Sequence, residues 1–404
     1  MKTIVFIGCQ QFGTSKEALA VARDMGYCVI LFTEKKKQIN PTAFPEVNHF
    51  VYLRDLFNFK KVQEEIEAFQ QIGKEICACV SFIDPYISYT AELAKNLGLI
   101  ELSIDALSIM ENKINVKDTL KEHPSSSFYA VFHPDSSIHT FIEEHQAFLP
   151  LILKSPTSNG SKDVYLAETL EELESGLKWL QKKELPILVE EYLLGPQYLI
   201  EVLVHKGKAE IAGIIEQEFS EENPFIIIGY KFPALIEDEM HSKLINSVVE
   251  IIDQIGLKDG ACHLEMRYVQ GLWKLVEINP RMSGGTMNRI FEEGTGINLV
   301  KEILKMNLGK QFSLIPTRHQ HVYAKYLTIG TSGRLLEVTG EELAWQYEGV
   351  KYVYVKPMMG KIVTVPYSMG NRYACVIAAS ESPESAKETA IAAAQELKFY
   401  LEPF

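Results

Sequence analysis

The chain has 404 residues, 47% of them hydrophobic and 23% charged, and a formal net charge of −13. These values suit a globular protein of about two to three domains with length enough to bury sizeable cores. The acidic balance argues against nucleic acid or an anionic membrane as main partner, and no apolar run reaches the roughly 18 residues of a membrane helix, though a local basic pocket stays possible.

The leading MKTIVFIGCQQFG lacks a small-x-small cleavage site, so it reads as a first buried strand and not as a signal peptide. SKEALAVARDMG (15–26) has the spacing of an amphipathic helix closing on Gly26, YCVILFTE (27–34) of a second strand, 60–72 of a helix, EICACVSF (75–82) of a strand and SYTAELAKNLG (88–98) of a helix. This βαβ rhythm predicts a parallel sheet with helices on its faces. Such sheets bind ligands beyond the carboxyl ends of their strands, here 8–13, 33–37 and 82–89. GCQQFGTS (8–15) falls short of a P-loop because Thr14 stands where the lysine is needed, and it does not fit G-x-G-x-x-G either. It reads as a tight turn that can touch a ligand.

LSIMENKINVKDTLKE (107–122) predicts one helix, and the polar Ser125–Ser127 run opens a new region. Residues 150–205 alternate strand, Ser/Asn/Gly loop, strand, helix (169–183) and strands. Residues 208–236 read as strands of a mixed or antiparallel sheet, followed by a helix at 238–256, a hairpin at 261–278, a helix at 298–309, and then several strands and an Ala-rich helix at 384–398. The six cysteines (Cys9, Cys28, Cys77, Cys79, Cys262, Cys375) mostly lie in apolar strand-like runs without zinc spacing, which predicts reduced core thiols and a cytoplasmic location.

The segment DGACHLEMRYVQGLWKLVEINPR (259–281) alternates on both sides of Gly271. A three-residue loop there places Glu265 opposite Glu277. His263, Glu265, Arg267, Leu275, Glu277 and Asn279 then share one face, while Leu264, Met266, Val276 and Ile278 face a core. Two opposed carboxylates repel unless something offsets them. With Asn279 they offer oxygens suited to one or two Mg²⁺ ions, with Mn²⁺ as an alternative. The plainer alternative is a solvated polar face with Arg267 as counter-ion. Beyond the strand, Arg281 points at the anion such metals hold, and the Ser-Gly-Gly turn lets backbone N–H groups of Gly284 and Gly285 approach it. His263 is either a structural residue or a ligand on the same face. Lys154 ends a buried strand before the loop TSNGSKD, which can close over phosphates. Lys113 sits on the earlier helix, and ILVEEYLLGPQ offers Glu190 at a strand end before a turn whose backbone can read an adenine edge.

Taken in order, Lys113, the Lys154 loop, Glu190-Glu191-Tyr192-Leu193-x-Gly195-Pro196, Glu265, and Glu277-x-Asn279-x-Arg281-x-x-Gly284-Gly285 resemble the ATP-grasp superfamily over most of the chain. The resemblance implies an α/β and α+β protein in three parts. These are an N-terminal parallel βαβ domain (1–106), a central helical segment with the lid subdomain (107–187), and a large mixed-sheet domain (188–404) holding the ATP and metal site (188–312) and an αβ extension (313–404). It implies that Lys113, Lys154 and the loop Ser158, Asn159, Gly160 and Ser161 contact phosphates, and that Glu190, Glu191, Tyr192 and Leu193 hold the adenine, with Gln197 at the ribose. It implies that Glu265, Glu277 and Asn279 ligate Mg²⁺ and that Arg281 stabilises the transferring phosphoryl, with Gly284 and Gly285 as oxyanion donors. Three positions depart from the family pattern: Gln197 replaces the usual acid, GSKDV lacks a second glycine, and Tyr230 in GYKFPA stands where histidine is frequent.

Length and the C-terminal extension look most like the bacterial L-amino acid ligases. That likeness implies ligation of two unprotected amino acids through an acyl phosphate, with release of ADP and phosphate, and makes a homodimer plausible. Pro85 and Tyr86, past a strand end, are expected to line the pocket of a Met- or Leu-like first amino acid, the alternative being a Pro-capped loop with the Tyr packed on a helix. Glu216 is either a partner of the substrate amine or a solvated strand-end residue. The competing functions are another carboxylase or purine-pathway ligase of this architecture and a non-catalytic nucleotide-binding module.

Overall fold

The computed structural model describes residues 1–35, 39–157, 160 and 162–403. The first unit comprises β1 (Lys2–Ile7), α1 (Thr14–Asp24), β2 (Cys28–Glu34), β3 (His49–Leu53), α2 (Phe59–Gln71), β4 (Glu75–Val80) and α3 (Ile87–Asn96). Its strands are parallel in the order β3-β2-β1-β4. Helices cover both faces of such a sheet, so the central strands are apolar throughout and do not alternate: Ile4 to Ile7 and Val29 to Phe32 are all buried.

Two short helices, α4 (Ile104–Met110) and α5 (Lys113–Thr119), replace the single helix expected over 107–122. The break falls at Asn112, whose side chain accepts from the N–H groups of Ile114 and Asn115 and starts α5 afresh. Lys113 is thereby the first helical residue.

A second unit contains β5 (Tyr129–Phe132), α6 (Ile138–His145), β6 (Leu151–Lys154), β7 (Val164–Ala167), α7 (Leu170–Gln181) and β8 (Ile187–Glu191), an antiparallel sheet in the order β5-β8-β6-β7. Phe132, Leu151, Leu153, Leu173, Leu177 and Val189 form its own core. Because Ile187 and Val189 belong to that core, β8 is an inner strand of the small sheet, and the boundary expected between 187 and 188 cuts through it.

The remaining chain builds β9 (Gln197–His205), β10 (Lys208–Phe219), β11 (Ile227–Phe232), α8 (Asp238–Ile255), β12 (Gly260–Val269), β13 (Leu272–Asn279), α9 (Met287–Thr295), α10 (Leu299–Asn307), β14 (His321–Leu327), β15 (Gly333–Thr339), α11 (Glu341–Ala344), β16 (Val350–Val355), β17 (Ile362–Val363), β18 (Ala374–Ser380), α12 (Pro383–Glu396) and β19 (Lys398–Glu402). Eight strands form one antiparallel sheet, β13-β12-β9-β10-β11-β14-β18-β16, and β17-β15-β19 form a small one. The C-terminal extension is therefore continuous with the large sheet, since β14, β18 and β16 lengthen it beyond β11. One hydrophobic cluster runs from Phe6 and Leu31 through Leu199, Ile215 and Phe232 to Leu304 and Ile377, so the first unit and the large sheet share a core. Among the described residues, no helix is long and apolar enough to cross a membrane.

Candidate active site

The β12–β13 ribbon turns through Gln270 and Gly271, both at positive φ (50° and 84°). This is the two-residue hairpin loop that demands left-handed backbone at both central positions, and it corrects the three-residue loop expected from sequence. A bulge between Glu265 and Met266 restores the pairing that the longer loop would have given: Val269 faces Leu272 and Met266 faces Leu275, yet Glu265 faces Glu277 and His263 faces Asn279. The extra residue is Val276. Leu275 pairs with Met266 and joins the core with it and Trp273, and Val276, expected to face a core, is half-buried beside it at the cavity wall.

These acids border a cavity of about 360 Å³ whose lining also includes Lys113, Lys154, Gly160, Glu190 to Leu193, Gln197, Tyr230, Asn279, Arg281, Gly284 and Gly285. Lys113 lies 3.3 Å from Glu277 Oε1, and Asn279 Nδ2 donates to the same oxygen at 3.0 Å. Burial works against the Glu277 charge, but Lys113 and Lys154 overcome it and hold its pKa below the usual carboxylate range. Glu265 goes the other way, raised by burial and by Glu277 opposite. The pair therefore shares its negative charge unequally, as two facing carboxyls must. Gln197 is spent inside this cluster: its Nε2 donates to Glu265 Oε2 at 2.7 Å, and its Oε1 accepts from Arg267 Nε at 2.7 Å. Arg267 also donates to the Leu193 carbonyl. The acid face is thus half-buried and cross-linked, unlike a solvated polar face.

Glu190, 4% exposed, sits between two ammonium groups: Lys117 at 2.6 Å from Oε1, and Lys154 on Oε2. Burial opposes its charge, yet the two lysines lower its pKa. Burial also opposes the Lys154 charge, but Glu190 and Glu277 keep its pKa raised, so it stays cationic at the end of β6. Lys117 was missed in the sequence. The signal was its i, i+4 spacing from Lys113, which puts both on one face of α5.

Arg281 is fixed by Asp84 from beyond β4: its Nε donates to Oδ2 at 2.9 Å and Nη2 reaches the same oxygen. Its backbone carbonyl accepts from His263 Nδ1 at 2.7 Å, and His263 Nε2 faces Asn279 Nδ2 at 3.3 Å. Burial, and then the Arg281 charge, push His263 down to about 4. The ring is neutral, a donor at Nδ1 and an acceptor at Nε2. Glu201, on β9 and fully buried, accepts from both the Ser283 N–H (2.8 Å) and the Ser283 hydroxyl, and burial pushes its carboxyl up to about 7. Thr14 donates to the Ser283 carbonyl at 2.9 Å. A Cβ at Gly13 (φ 87°) would lie 3.0–3.1 Å from the Gly285 backbone, so the turn after β1 presses directly on the Ser-Gly-Gly turn. Asp84 and Glu201 gave no sequence signal, because each meets its partner only through the tertiary fold.

The predicted substrate residues separate. Tyr230 is buried on the cavity wall, its ring edge-on to Tyr326. Glu216 is paired with Lys231 at 2.8 Å and lies outside the lining. Pro85 is exposed, and Tyr86 packs into the first unit's core beside Phe57. From that strand end it is Phe82, Ile83 and Asp84 that reach the cavity. Ser158, Asn159 and Ser161 lie outside the described residues. No group of three or more His, Cys, Asp or Glu side chains poised for a metal occurs among the described residues; what Glu265, Glu277 and Asn279 bring together is two carboxylates and one amide.

Three family models match in chain order: an ATP-grasp N-terminal domain at 19–99, an ATP-grasp domain at 147–289, and an L-amino acid ligase C-terminal domain 2 at 325–402. An uncharacterised protein of Sinorhizobium fredii is 26% identical over 63% of this chain and 54% of its own length. Dapdiamide A synthase of Enterobacter agglomerans is 23% identical over 60% of each chain. The matches thus span little more than half of these relatives. An L-amino acid ligase structure from Bacillus licheniformis superposes with a TM-score of 0.86 over 100% of this chain and 99% of that one, at 19% identity, which is a likeness of fold. With the three domains succeeding one another along its length, the chain belongs to the ATP-grasp superfamily.

Proposed function

We propose that the protein is an ATP-dependent carboxylate–amine ligase that joins two unprotected L-amino acids into a dipeptide. The observation that carries this reading is the convergence of Glu265, Glu277, Asn279, Arg281, Lys113 and Lys154 on one cavity from three separate stretches of chain. The match of the C-terminal region to an L-amino acid ligase domain supports amino acids as the substrates.

The two opposed carboxylates and the amide form a hard oxygen donor set; burial first, and then the facing Glu277 charge, keep the Glu265 pKa raised. Such a set fits Mg²⁺ or Mn²⁺. When bound, the cation neutralises polyphosphate charge and orients the γ-phosphoryl. Lys154, kept charged and aimed by Glu190, and Lys113 at the start of α5 bind phosphate oxygens. The backbone of 191–193 borders the adenine end. A carboxylate oxygen of the first amino acid attacks the γ-phosphorus, the bond to the ADP oxygen breaks, and an acyl phosphate forms. Arg281, locked in orientation by Asp84, meets the charge that develops on the transferring group. The amine of the second amino acid then attacks the acyl carbon. The C–N bond forms, the amine loses a proton, and phosphate leaves with the electrons of the C–O bond. N–H groups of Gly284 and Gly285, which line the cavity, stabilise the tetrahedral oxyanion, and the hydrogen bonds of Ser283 to Glu201 support that turn. Phe82, Ile83, Phe225 and Ile227 supply an apolar wall suited to a Met- or Leu-like first side chain.

The test is phosphate release from ATP and Mg²⁺ with pairs of L-amino acids, with mass detection of the product. The reading predicts turnover that requires both an acid and an amine, and a dipeptide in equal amount to ADP. Turnover driven by bicarbonate alone would make the protein a carboxylase instead, and ATP binding without turnover would make it a binding module.

A further inference from the structure

A cation from the C-terminal region reaches the same cavity. Arg372 lies just before β18, in the stretch matched by the L-amino acid ligase C-terminal domain and outside the stretch matched by the ATP-grasp domain. Its guanidinium stacks on Tyr326, 3.9 Å from the ring centroid, and Nη1 donates to the Tyr230 hydroxyl and the Ile227 carbonyl, each at 3.3 Å. Its Nε is shut off from solvent and has no hydrogen-bond partner. Among the described residues no carboxylate pairs with it. By contrast, Arg281, Lys113 and Lys154, which line the same cavity, each face an acid.

A guanidinium cannot shed its charge, and burying one without a counter-anion is costly. Neutral rings and a carbonyl hold this one in place without satisfying it, and its planar fork matches a carboxylate. We propose that Arg372 is the subsite for the free α-carboxylate of the amine-bearing amino acid, the one carboxylate of the two substrates that is not consumed. The inference rests on the ligase reading above and deepens it. The first substrate's carboxylate goes to the γ-phosphoryl beside Arg281, whereas the second substrate must keep its own carboxylate charged and distant from the phosphoryl donor. Tyr230 lies between the two regions, hydrogen-bonded to Arg372 on one side and within electrostatic reach of Glu265 on the other.

The experiment compares the wild type with Arg372→Gln and Arg372→Lys. ADP release from ATP and L-methionine is measured with each proteinogenic L-amino acid offered as the amine, as free acid and as carboxamide. The wild type should prefer the free acid. Arg372→Gln should raise KM for the free acid by about tenfold to a hundredfold, leave KM for ATP unchanged and erase the preference over the amide. Arg372→Lys, which keeps a cation over Tyr326, should retain part of the preference. A preference that survives in Arg372→Gln overturns the subsite, and so does a rise in KM for ATP, which would make Arg372 a phosphate contact. Calorimetric binding of the same acids and amides in the presence of ADP and Mg²⁺ separates this inference from the ligase reading. If there is no turnover but acid binding depends on Arg372, the ligase reading fails and the subsite stands. If the wild type binds acid and amide equally, the subsite fails whatever the turnover.

Discussion

At the scale of single residues, the site is a set of charges each held in a definite state by its neighbours. Glu277 is the acid most firmly kept ionised, so Glu277→Gln should reduce ADP release by about a hundredfold or more and raise the Mg²⁺ concentration needed for what remains. An unchanged magnesium titration would remove Glu277 from the donor set. Asp84 touches Arg281 and borders the cavity without being in the transfer itself. Asp84→Asn frees the guanidinium and should lower kcat by about tenfold with KM for ATP little altered. Glu201 gives a pH signature. Its folded pKa is raised from 4.5 to about 7, so its contribution to stability is complete below pH 4.5 and is lost as pH rises through 7. The loss is about 3 kcal/mol. Urea unfolding at pH 5 and pH 8 should show Glu201→Gln gaining on the wild type by that order at the higher pH, and a constant difference between the two would contradict the assignment. His263 has the opposite sign, since a pKa lowered from 6.5 to about 4 costs stability as pH falls from 6.5 toward 4. The acids, the amide and Arg281 were legible in the sequence because a strand alternates. Asp84, Glu201 and Arg372 were not, because their meaning lies in partners 82 or more residues away, or in the absence of a partner.

At the scale of elements, the hairpin shows why a correct pairing can follow from an incorrect turn. The sequence predicted Glu265 opposite Glu277 from a three-residue loop. The chain reaches the same pairing with a two-residue loop and a bulge at Val276. Alternation fixes which residues face together, but a bulge leaves no mark in composition, so the pairing of Leu275 with Met266 and the place of Val276 at the cavity wall could not be read from it. The single helix expected over 107–122 failed for a related reason. Asn112 stands among other polar residues in that run, yet its side chain caps a new helix that brings Lys113 to Glu277. The turn after β1 was recognised as a turn, but its role as a wedge against the Ser-Gly-Gly turn needed the fold. Gly13→Ala places a Cβ 3.0–3.1 Å from the Gly285 backbone at a positive φ. It should destabilise the protein by at least about 1 kcal/mol and lower kcat through displacement of that turn. Loss of stability with unchanged kcat would show that the Ser-Gly-Gly turn tolerates the shift.

At the scale of the whole molecule, the parallel first unit and many strands of the later sheets were present in the periodicity of the sequence, whereas the division into a lid and a large mixed-sheet domain was implied by the resemblance to the ATP-grasp superfamily. Less legible was how they share strands and cores. Only the paired backbones show that β8 belongs to the small sheet and that β14, β18 and β16 extend the large one. That continuity is what brings Arg372, with Met369, to a cavity otherwise built by the first 287 residues. The claim on which this account turns is that the cavity couples ATP cleavage to the joining of two amino acids. It is tested most directly by measuring ADP and peptide together, from ATP, Mg²⁺ and pairs of unprotected L-amino acids, in the wild type and in Glu277→Gln. The account predicts equal amounts of ADP and dipeptide from the wild type, and both lowered together by about a hundredfold or more in the variant. ADP formed without dipeptide, or equally by both proteins, would contradict it.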